Sequence, residues 1–333
     1  MKTVLMSSPN ALDGVSLYRH WGPMLNLEKD GHVRLVSMPG DSKELSNWTY
    51  YKKCEFAFIS RPYRNYDYFF IKECQKYGLP IWIDIDDNLF AIPDDNDAYE
   101  LFSSDDAQKY LIFALKSANH VTVATQKLKD FLWNRLQVQS QVIENALDDF
   151  WLTHKRPFQK NKNILWRGSK SHLADLLYYE NELLEVISKN LDHDWLFMGM
   201  NPFFLRRRFK DAPIRWSRTM NFIDFIHEMI KFGPTFHFIS MIDQEFNRTR
   251  SCNGWVENTL AGGVTFSPNW DEWEKPGIIH YSSPKNFSER FLQFIHFSEK
   301  ELKSKHDISW EYIRDNLLLS KINQKRLEII NNL

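Results

Sequence analysis

The sequence has few cysteines and no long apolar run. Cys54, Cys74 and Cys252 are its only cysteines among 333 residues, and their positions fit neither a CxxC pair nor a zinc-ligand spacing. We therefore expect no disulfide framework and a reducing, cytoplasmic compartment. No stretch approaches the roughly 18 apolar residues of a membrane span. The opening residues MKTVLMSSPN turn polar too soon for a signal peptide, so we expect neither membrane insertion nor export.

The chain also lacks an excess of charge of one sign. Its 42 lysines and arginines nearly balance 43 aspartates and glutamates, for a formal net charge of −1. This balance argues against a protein that binds nucleic acid over its whole surface. The GxGxxG motif of dinucleotide binding, the Walker A motif and the GxSxG motif of α/β hydrolases are absent as well. The sequence therefore gives no indication of a nicotinamide cofactor, a P-loop or a serine hydrolase.

What is present is an alternation of short apolar runs with helical stretches, which is typical of α/β units on parallel sheets. The predicted strands are 3–8, 33–37, 55–60, 79–85, 120–124, 141–143, 163–167, 194–198, 214–217, 235–241 and 264–267. The predicted helices are 16–27, 66–77, 105–117, 125–136, 171–190, 222–231, 248–261, 286–303 and 310–331. Thr125 is the expected N-cap of its helix.

The polar stretch 144–162 interrupts this alternation and contains Pro157. We interpret it as a connector between two domains. At roughly 150 residues per domain, the chain is long enough for two. Because ligands of such sheets bind at the carboxyl ends of the strands, the cleft between two Rossmann-like domains is the expected site.

Three aspartates, Asp84, Asp86 and Asp87, follow an apolar strand in the stretch IWIDIDDNLF. In a metal-binding DxD motif, Mn²⁺ or Mg²⁺ would bridge these carboxylates and a diphosphate. In a phosphatase of the haloacid dehalogenase type, Asp84 would be the nucleophile and Asp86 the acid/base, although position 88 is Asn. The third interpretation is a loop cap or an acceptor-side role. Because the sequence offers no partner ligand for a metal, we expect no metal site.

A second constellation is the stretch ILWRGSKSHLADL, in which Arg167, Gly168, Ser169 and Lys170 lie between a strand and a helix. Glycine allows a ligand to approach the backbone, and the helix N-terminus presents N–H groups to an anion. With the two cations beside it, this turn is suited to hold a diphosphate without a metal. The alternative is an ordinary βα turn with a serine N-cap.

A third constellation is FNRTRSCNGWVENTLAGGV, in which Asn247, Arg248, Arg250 and Ser251 gather at a predicted helix start. Such a start binds phosphates, while Glu257, farther along the helix, is placed to accept hydrogen bonds from two ribose hydroxyls. The alternative is an amphipathic helix whose apolar side is buried and whose glutamate is solvated.

Two further stretches suggest contacts with a second substrate. The first βα turn, in SSPNALDGVSLYRHWGP, contains Gly14 and is followed by Tyr18 and Arg19. Basic and aromatic residues are interleaved at 61–64 and 206–210, which suits a nucleic-acid backbone. The alternative for these stretches is a simple turn and a solvated helix face.

Taken in order, these stretches resemble a known family. The series "DGVSLYR", "IDIDDNLF.IP", "VTVAT", "VIENALD", "ILWRGSKSH" and "WVE..LAGGV..SP" is similar to GT-B-fold nucleotide-sugar glycosyltransferases, over roughly residues 1 to 300. Within that family it resembles the short enzymes common in phage and bacterial surface-glycan gene sets. The compartment would then be the host cytoplasm if the gene is of phage origin.

The resemblance implies an acceptor-side domain at 1–150 and a nucleotide-sugar-binding domain at 151–305. It implies that helices in 306–333 cross back onto the first domain. Arg167, Gly168 and Ser169 would face the diphosphate, and Asn247, Arg250 and Ser251 would lie near the sugar and the phosphates. Glu257 matches the second glutamate of the family's E-x7-E motif, the ribose ligand, whereas Thr249 stands where the first would fall.

The predicted activity is transfer of a sugar from a nucleotide-diphosphate sugar, a UDP-sugar by expectation, to a hydroxyl group. The predicted reaction is metal-independent and retaining, with no tightly bound cofactor. Asp86, Asp87 and Arg250 are the predicted catalytic residues, and Gly14, Arg19 and Asp84 the acceptor-side residues. The acceptor is a glycan or a hydroxymethylated base in phage DNA, which would have to be flipped out of its stack. The alternatives are the phosphatase and a non-catalytic protein that binds nucleotide sugars.

Overall fold

A computed structural model describes residues 1–7, 13–40 and 42–333. The first half forms a parallel sheet of order β2-β1-β3-β4-β5-β6 with helices between its strands. Its strands are β1 Lys2–Met6, β2 Val33–Ser37, β3 Phe56–Ser60, β4 Ile81–Ile85, β5 His120–Val123 and β6 Gln141–Val142. Its helices are α1 Gly14–Arg19, α2 Trp21–Lys29, α3 Trp48–Lys52, α4 Asn65–Lys76, α5 Tyr99–Ser103, α6 Asp105–Ser117 and α7 Gln126–Leu136.

The second half forms another parallel sheet, of order β12-β11-β10-β7-β8-β9. Its strands are β7 Asn163–Arg167, β8 Asp194–Gly199, β9 Ile214–Arg218, β10 Phe236–Phe238, β11 Val264–Pro268 and β12 Ile279–Tyr281. The helices that follow β7 in the chain are α8 Leu173–Tyr178, α9 Glu180–Ser188, α10 Phe203–Arg208, α11 Phe222–Phe232, α12 Glu245–Arg248, α13 Asn253–Leu260, α14 Pro284–Ile295, α15 Glu299–Asn316 and α16 Leu319–Asn332. The predicted architecture of two Rossmann-like domains is confirmed.

All the predicted strands are present, with small shifts at their ends; Ser8, the last residue of the first one, lies outside the described residues. Strand β12, which was not predicted, adds an edge to the second sheet. Thr125 caps α7 as expected, because its side chain accepts a hydrogen bond from the Leu128 amide. The apolar pattern therefore predicts the central strands well, since β3, β4 and β11 are buried along almost their whole length, whereas the edge strands β2 and β9 are partly exposed.

Several stretches that the sequence pattern predicts as one helix form two shorter helices. The prediction 286–303 is wrong because Ser298 caps a new helix, α15, through a capping box with Glu301; this S-x-x-E pattern was available in the sequence. The predicted helices 16–27, 171–190 and 310–331 each span two helices. The prediction 248–261 also fails, since α12 ends at Arg248 and α13 begins at Asn253.

The end of the chain contacts both sheets in turn. Helix α15 packs against α13 and β11, whereas α16 packs against α2. The Asn323 amide in α16 donates to Asn26 Oδ1 at 2.9 Å. Residue 306 lies inside α15, and the boundaries at 150, 305 and 306 stay predictions. Among the described residues, no helix combines the length and apolar character that crossing a bilayer requires.

Candidate functional site

The loops that follow strands of both sheets line a cleft of about 390 Å³. Most of the predicted site residues meet there, although they come from distant parts of the sequence. They are Gly14, Asp86, Asp87, Arg167, Gly168, Ser169, Arg250, Ser251 and Glu257. Arg19, Asp84 and Asn247 do not line the cleft within the described part of the chain.

An ion pair at the cleft joins the two stretches of the second domain that are predicted to bind the donor. Arg167 Nη2 at the end of β7 lies 3.0 Å from Glu257 Oε2 in α13. The Glu257 side chain is only 2% exposed, and Tyr18 of α1 donates to its Oε1 at 3.0 Å. Burial raises the pKa of the Glu257 carboxyl, and the Arg167 charge and the Tyr18 hydrogen bond oppose that shift. Glu257 thus connects the two domains and is buried, not solvated as the alternative interpretation would have it.

The turn after β7 brings backbone close to the cleft because glycines lie at two adjacent strand ends. The Gly168 amide donates to Met198 O at 2.9 Å. Gly199 adopts a φ of +94°, and a Cβ there would lie 2.6 Å from Gly168 O. Position 199 therefore requires glycine. The residues after Gly168 form a short 3-10 turn, Lys170–His172, rather than the regular helix start that was predicted.

Substituting Gly168 by alanine is expected to disturb this turn. The new Cβ would lie 2.6 Å from Trp166 Cη2 and 3.0 Å from His172 Cβ, and Trp166 is fixed by burial and by a hydrogen bond to Ser240 Oγ. Overpacking of this kind costs about 1–3 kcal/mol of stability. Thermal denaturation checks the prediction, with Gly14→Ala as the control, because a Cβ at Gly14 would meet only Phe222 at 3.8 Å. Equal melting temperatures for the two variants would contradict it.

The aspartate pair is held by Arg61, which the sequence pattern does not assign to the site. Arg61 donates through Nε to Asp86 Oδ1 and through Nη2 to Asp87 Oδ2, both at 2.5 Å. Arg61 adopts a φ of 47°, a left-handed conformation that is uncommon for a residue with a side chain. The two aspartate side chains, 12% and 23% exposed, lie at the cleft wall. Arg61 therefore fixes both carboxylates in place.

The two carboxyl groups differ in acidity. Burial raises the pKa of Asp86, and the Arg61 guanidinium only partly opposes that shift. Burial also acts to raise the pKa of Asp87, but the Arg61 and Arg250 charges outweigh it and hold that pKa below its usual range. Arg250 Nε lies 3.9 Å from Asp87 Oδ1. Arg61 binds both carboxylates and Arg250 approaches only Asp87, so Asp86 has one arginine fewer beside it and is the candidate proton acceptor.

Arg250 is also placed by a polar chain on the second domain. Its Nη1 lies 3.4 Å from His172 Nδ1, and that nitrogen is 3.2 Å from Asp175 Oδ2. Burial and the Arg250 charge lower the pKa of His172, so the imidazole is neutral near pH 7. Asn247 donates to Asp175 Oδ1 at 2.8 Å and is 1% exposed. Asn247 therefore holds Asp175, the buried end of this series of contacts, instead of facing the donor as predicted.

Arg19 and Asp84 form a buried pair beneath the cleft. Arg19 is fully buried, and Asp84 is 2% exposed. Arg19 binds both carboxylate oxygens of Asp84, and Thr122 donates to Oδ1 as well. Arg19 also donates to Asn145 Oδ1 at 3.1 Å. In this position the pair supports the cleft floor, and of the acceptor-side predictions only Gly14 lies at the cleft surface.

Contacts with the first domain explain why no continuous helix forms around 250. Thr125 donates to the carbonyl of Thr249 at 2.8 Å, and Asn145 donates to Ser251 Oγ at 2.9 Å. These bonds hold residues 249–252 in a turn between α12 and α13. The Thr249 side chain is 3% exposed and its hydroxyl donates to Phe246 O. Position 249, where relatives of the resembled family carry a glutamate, is thus turned away from the cleft.

Sequence reasoning missed several residues of the cleft, among them Arg61, Arg218, Phe222 and Phe225. Arg61 lies in the basic-aromatic stretch 61–64, which was weighed as a nucleic-acid contact. No local pattern distinguishes an arginine that binds carboxylates from one that faces solvent. Among the described residues, no group of three His, Cys, Asp or Glu side chains is arranged to hold a metal ion.

No family model matches the chain, and a comparison with curated proteins finds no match either. Solved structures do share its fold. The chain is similar to S. aureus TarM in complex with Fondaparinux, alpha-GlcNAc-glycerol and UDP, at 12% identity and a TM-score of 0.61, with 83% of this chain and 55% of TarM covered. The chain thus spans about half the length of TarM.

Two other similar structures match the chain over its length. The UDP-GlcNAc 2-epimerase from Neisseria meningitidis bound to UDP-GlcNAc has 12% identity and a TM-score of 0.56, with 99% of each chain covered. Os79 from O. sativa in complex with UDP has 9% identity and a TM-score of 0.53, again with 99% of each chain covered. At these identities the likeness shows the fold, and the predicted GT-B fold is confirmed. The predicted subgroup of phage and bacterial enzymes stays a prediction.

Proposed function

We propose that the chain is a glycosyltransferase that moves a sugar from a UDP-sugar to a hydroxyl acceptor. The observation that carries this proposal is the meeting of Arg167, Gly168, Arg250 and Glu257 in one cleft between two parallel sheets. Two cations and a glycine turn suit a diphosphate, and a buried carboxylate suits ribose hydroxyls. The similar structures named above were solved with UDP or UDP-GlcNAc, which supports the choice of nucleotide.

Donor binding would replace contacts that form within the cleft. Arg167 and Glu257 neutralise each other at 3.0 Å before a donor arrives. A diphosphate would attract Arg167, and the two ribose hydroxyls would take the places of Arg167 and the Tyr18 hydroxyl as partners of Glu257. After the exchange Arg167 is paired with the diphosphate and the Glu257 carboxylate accepts hydrogen bonds from hydroxyls, so neither charged group is left without a partner.

In the transfer step, the bond between the anomeric carbon and the diphosphate oxygen breaks and the acceptor oxygen bonds to that carbon. Arg250 and Arg167 stabilise the negative charge that grows on the departing UDP, as preorganised cations do. The acceptor proton passes to a carboxylate, for which Asp86 is suited because burial raises its pKa. Neither role needs a metal. Retention of the anomeric configuration, which the resemblance implies, requires the acceptor oxygen to approach on the face from which UDP departs.

The contacts of the stretch 61–64 argue against modified DNA as an acceptor bound there. In the stretch 61–64, Arg61 binds Asp86 and Asp87, and Arg64 binds Asp67. These arginines are therefore engaged with carboxylates and do not form the free basic surface that a nucleic-acid backbone requires. A phosphatase reaction at Asp84 has no support either, because both of its oxygens are bound by buried partners.

A binding and turnover experiment tests the proposal. In EDTA, one UDP-sugar at about 100 times its Kd should stabilise the protein by roughly 2.7 kcal/mol, which raises the melting temperature by several degrees. The same sugar nucleotide should release UDP when a hydroxyl acceptor is supplied. Glu257→Gln should lose the shift, because the amide cannot replace a charged acceptor for two hydroxyls. A shift without any release of UDP would favour the non-catalytic binder instead.

A further inference from the structure

A second, apolar pocket lies beside the cleft, where the two domains meet. It encloses about 220 Å³ between α1, the connector residues 146–151 and α11. Tyr18 and Phe222 line both this pocket and the cleft. The two rings pack edge to face, with centroids 5.1 Å apart. The partition between the two spaces is therefore aromatic.

The lining has the chemistry of a site for a flat apolar group. Trp151 and His227 form a second edge-to-face pair, 5.3 Å between centroids, and Ala146 and Ile226 complete the buried walls. Asp148, the acid in this lining, already accepts from the Phe150 amide at 2.9 Å. Aromatic rings pair favourably with the edges and faces of other rings. An occupant without polar groups would thus find apolar or aromatic partners on most of the lining, with Asp148 as the exception.

Volume and access both fit a small ring system. An apolar cavity of about 150 Å³ is sufficient to bind benzene, so 220 Å³ accommodates one ring or two fused rings. The lining includes Ile223, 39% exposed, and Phe150, 59% exposed. These apolar side chains form a path from solvent into the pocket.

We propose that this pocket is a second ligand site, which takes an apolar aromatic group of one or two rings. Its occupant is linked to the donor site through Tyr18. The Tyr18 ring lines the pocket, while the Tyr18 hydroxyl donates to Glu257 Oε1 at 3.0 Å. An occupant that holds the Tyr18 ring in place also holds the hydrogen bond from Tyr18 to Glu257. A donor must break that hydrogen bond before its ribose can bind Glu257. The binding part of the inference is independent of the proposed function, and the linkage rests on it.

Indole is the probe that tests the site, titrated into the full chain in EDTA without nucleotide. We expect saturable binding to the wild type, at one site per chain. Ile223→Trp at the mouth and Ala146→Leu inside should each weaken it by about tenfold or more, because they fill space that the ligand needs. Ile308→Trp is the matched control, since Ile308 is 43% exposed on α15, outside the pocket lining, and it should bind indole as the wild type does.

The outcomes separate the site from its linkage. Absence of indole binding to the wild type, or unchanged binding in both pocket variants, would overturn the proposal; binding of n-octanol without indole would overturn the aromatic class. Saturating indole should weaken UDP binding about fivefold, and UDP should weaken indole binding by the same factor. Tyr18→Phe should keep indole binding and lose this coupling. A chain that binds indole but no UDP would count against the proposed function and leave the pocket established.

Discussion

Replacing Arg250 by alanine is expected to lower kcat/KM for the sugar nucleotide by about 10²- to 10³-fold, the usual cost of removing one charge-stabilising group from a transition state. Arg250 is 22% exposed at the cleft and reaches toward Asp87 and His172. Arg61 cannot take over its role, because both ends of its guanidinium are bound by Asp86 and Asp87. Steady-state release of UDP at a fixed acceptor concentration measures the loss.

The pH profile should change in the same variant. Arg250 is one of the charges that lower the pKa of Asp87. Its removal should therefore raise the pKa of Asp87, so that this carboxylate protonates at a higher pH than in the wild type. The acid limb of the pH-activity profile should move to higher pH if the charge of Asp87 is needed for transfer.

Arg248 provides the matched control for this experiment. It lies two residues before Arg250 on the same stretch, but it binds Asp243 and Asp271 outside the cleft lining. Arg248→Ala should keep activity near that of the wild type. Equal losses in the two variants, or full activity in Arg250→Ala, would contradict the role given to Arg250.

Replacing Asp84 by alanine is expected to destabilise the fold by about 3–5 kcal/mol, because removal of one partner leaves a buried charge uncompensated. Arg19 is fully buried and gives two of its hydrogen bonds to Asp84. Its remaining contacts, with Ile143 O and Asn145 Oδ1, carry no full charge. This loss is a large share of the free energy of unfolding of a native domain, which is about 5–15 kcal/mol. Denaturant unfolding of the purified variants measures it.

Asp95 serves as the surface comparison for Asp84. It lies on an exposed turn of the same domain, where substitutions usually change stability by less than about 0.5 kcal/mol. Asp95→Ala should therefore unfold at the wild-type denaturant concentration. An Asp84→Ala variant as stable as Asp95→Ala would show that Arg19 does not depend on this carboxylate.

The sequence was sufficient for the parts of the fold that depend on local pattern. Buried parallel strands are continuous apolar runs, and Thr125 marks a helix start by its side chain. The glycine turn at Gly168 was visible too, because a strand, a glycine and a basic residue stand in order. Helix breaks such as that between α12 and α13 are not visible in the sequence, since hydrogen bonds from Thr125 and Asn145 of the other domain impose them.

Local sequence pattern could not predict which side chains of the site contact each other. Tyr18 and Glu257 are 239 residues apart in sequence, and Arg19 and Asp84 are 65 apart. A single sequence shows that an arginine and an aspartate are present, but not that burial pairs them. The sequence pattern therefore predicts that Arg19 and Asp84 contact the acceptor, whereas in the structure they form a buried pair under the floor of the cleft. Arg61 was assigned to a surface when it holds two carboxylates at the wall.

The most direct test of the proposed donor site is titration calorimetry of UDP into the full chain in EDTA. We expect binding at one site per chain, weakened by about tenfold or more in Arg167→Ala, because a charge-assisted contact to phosphate is lost. Arg248→Ala should bind UDP as the wild type does. Absence of binding by UDP, GDP, ADP and dTDP alike, or equal affinity in Arg167→Ala, would contradict the assignment of this cleft to a nucleotide sugar.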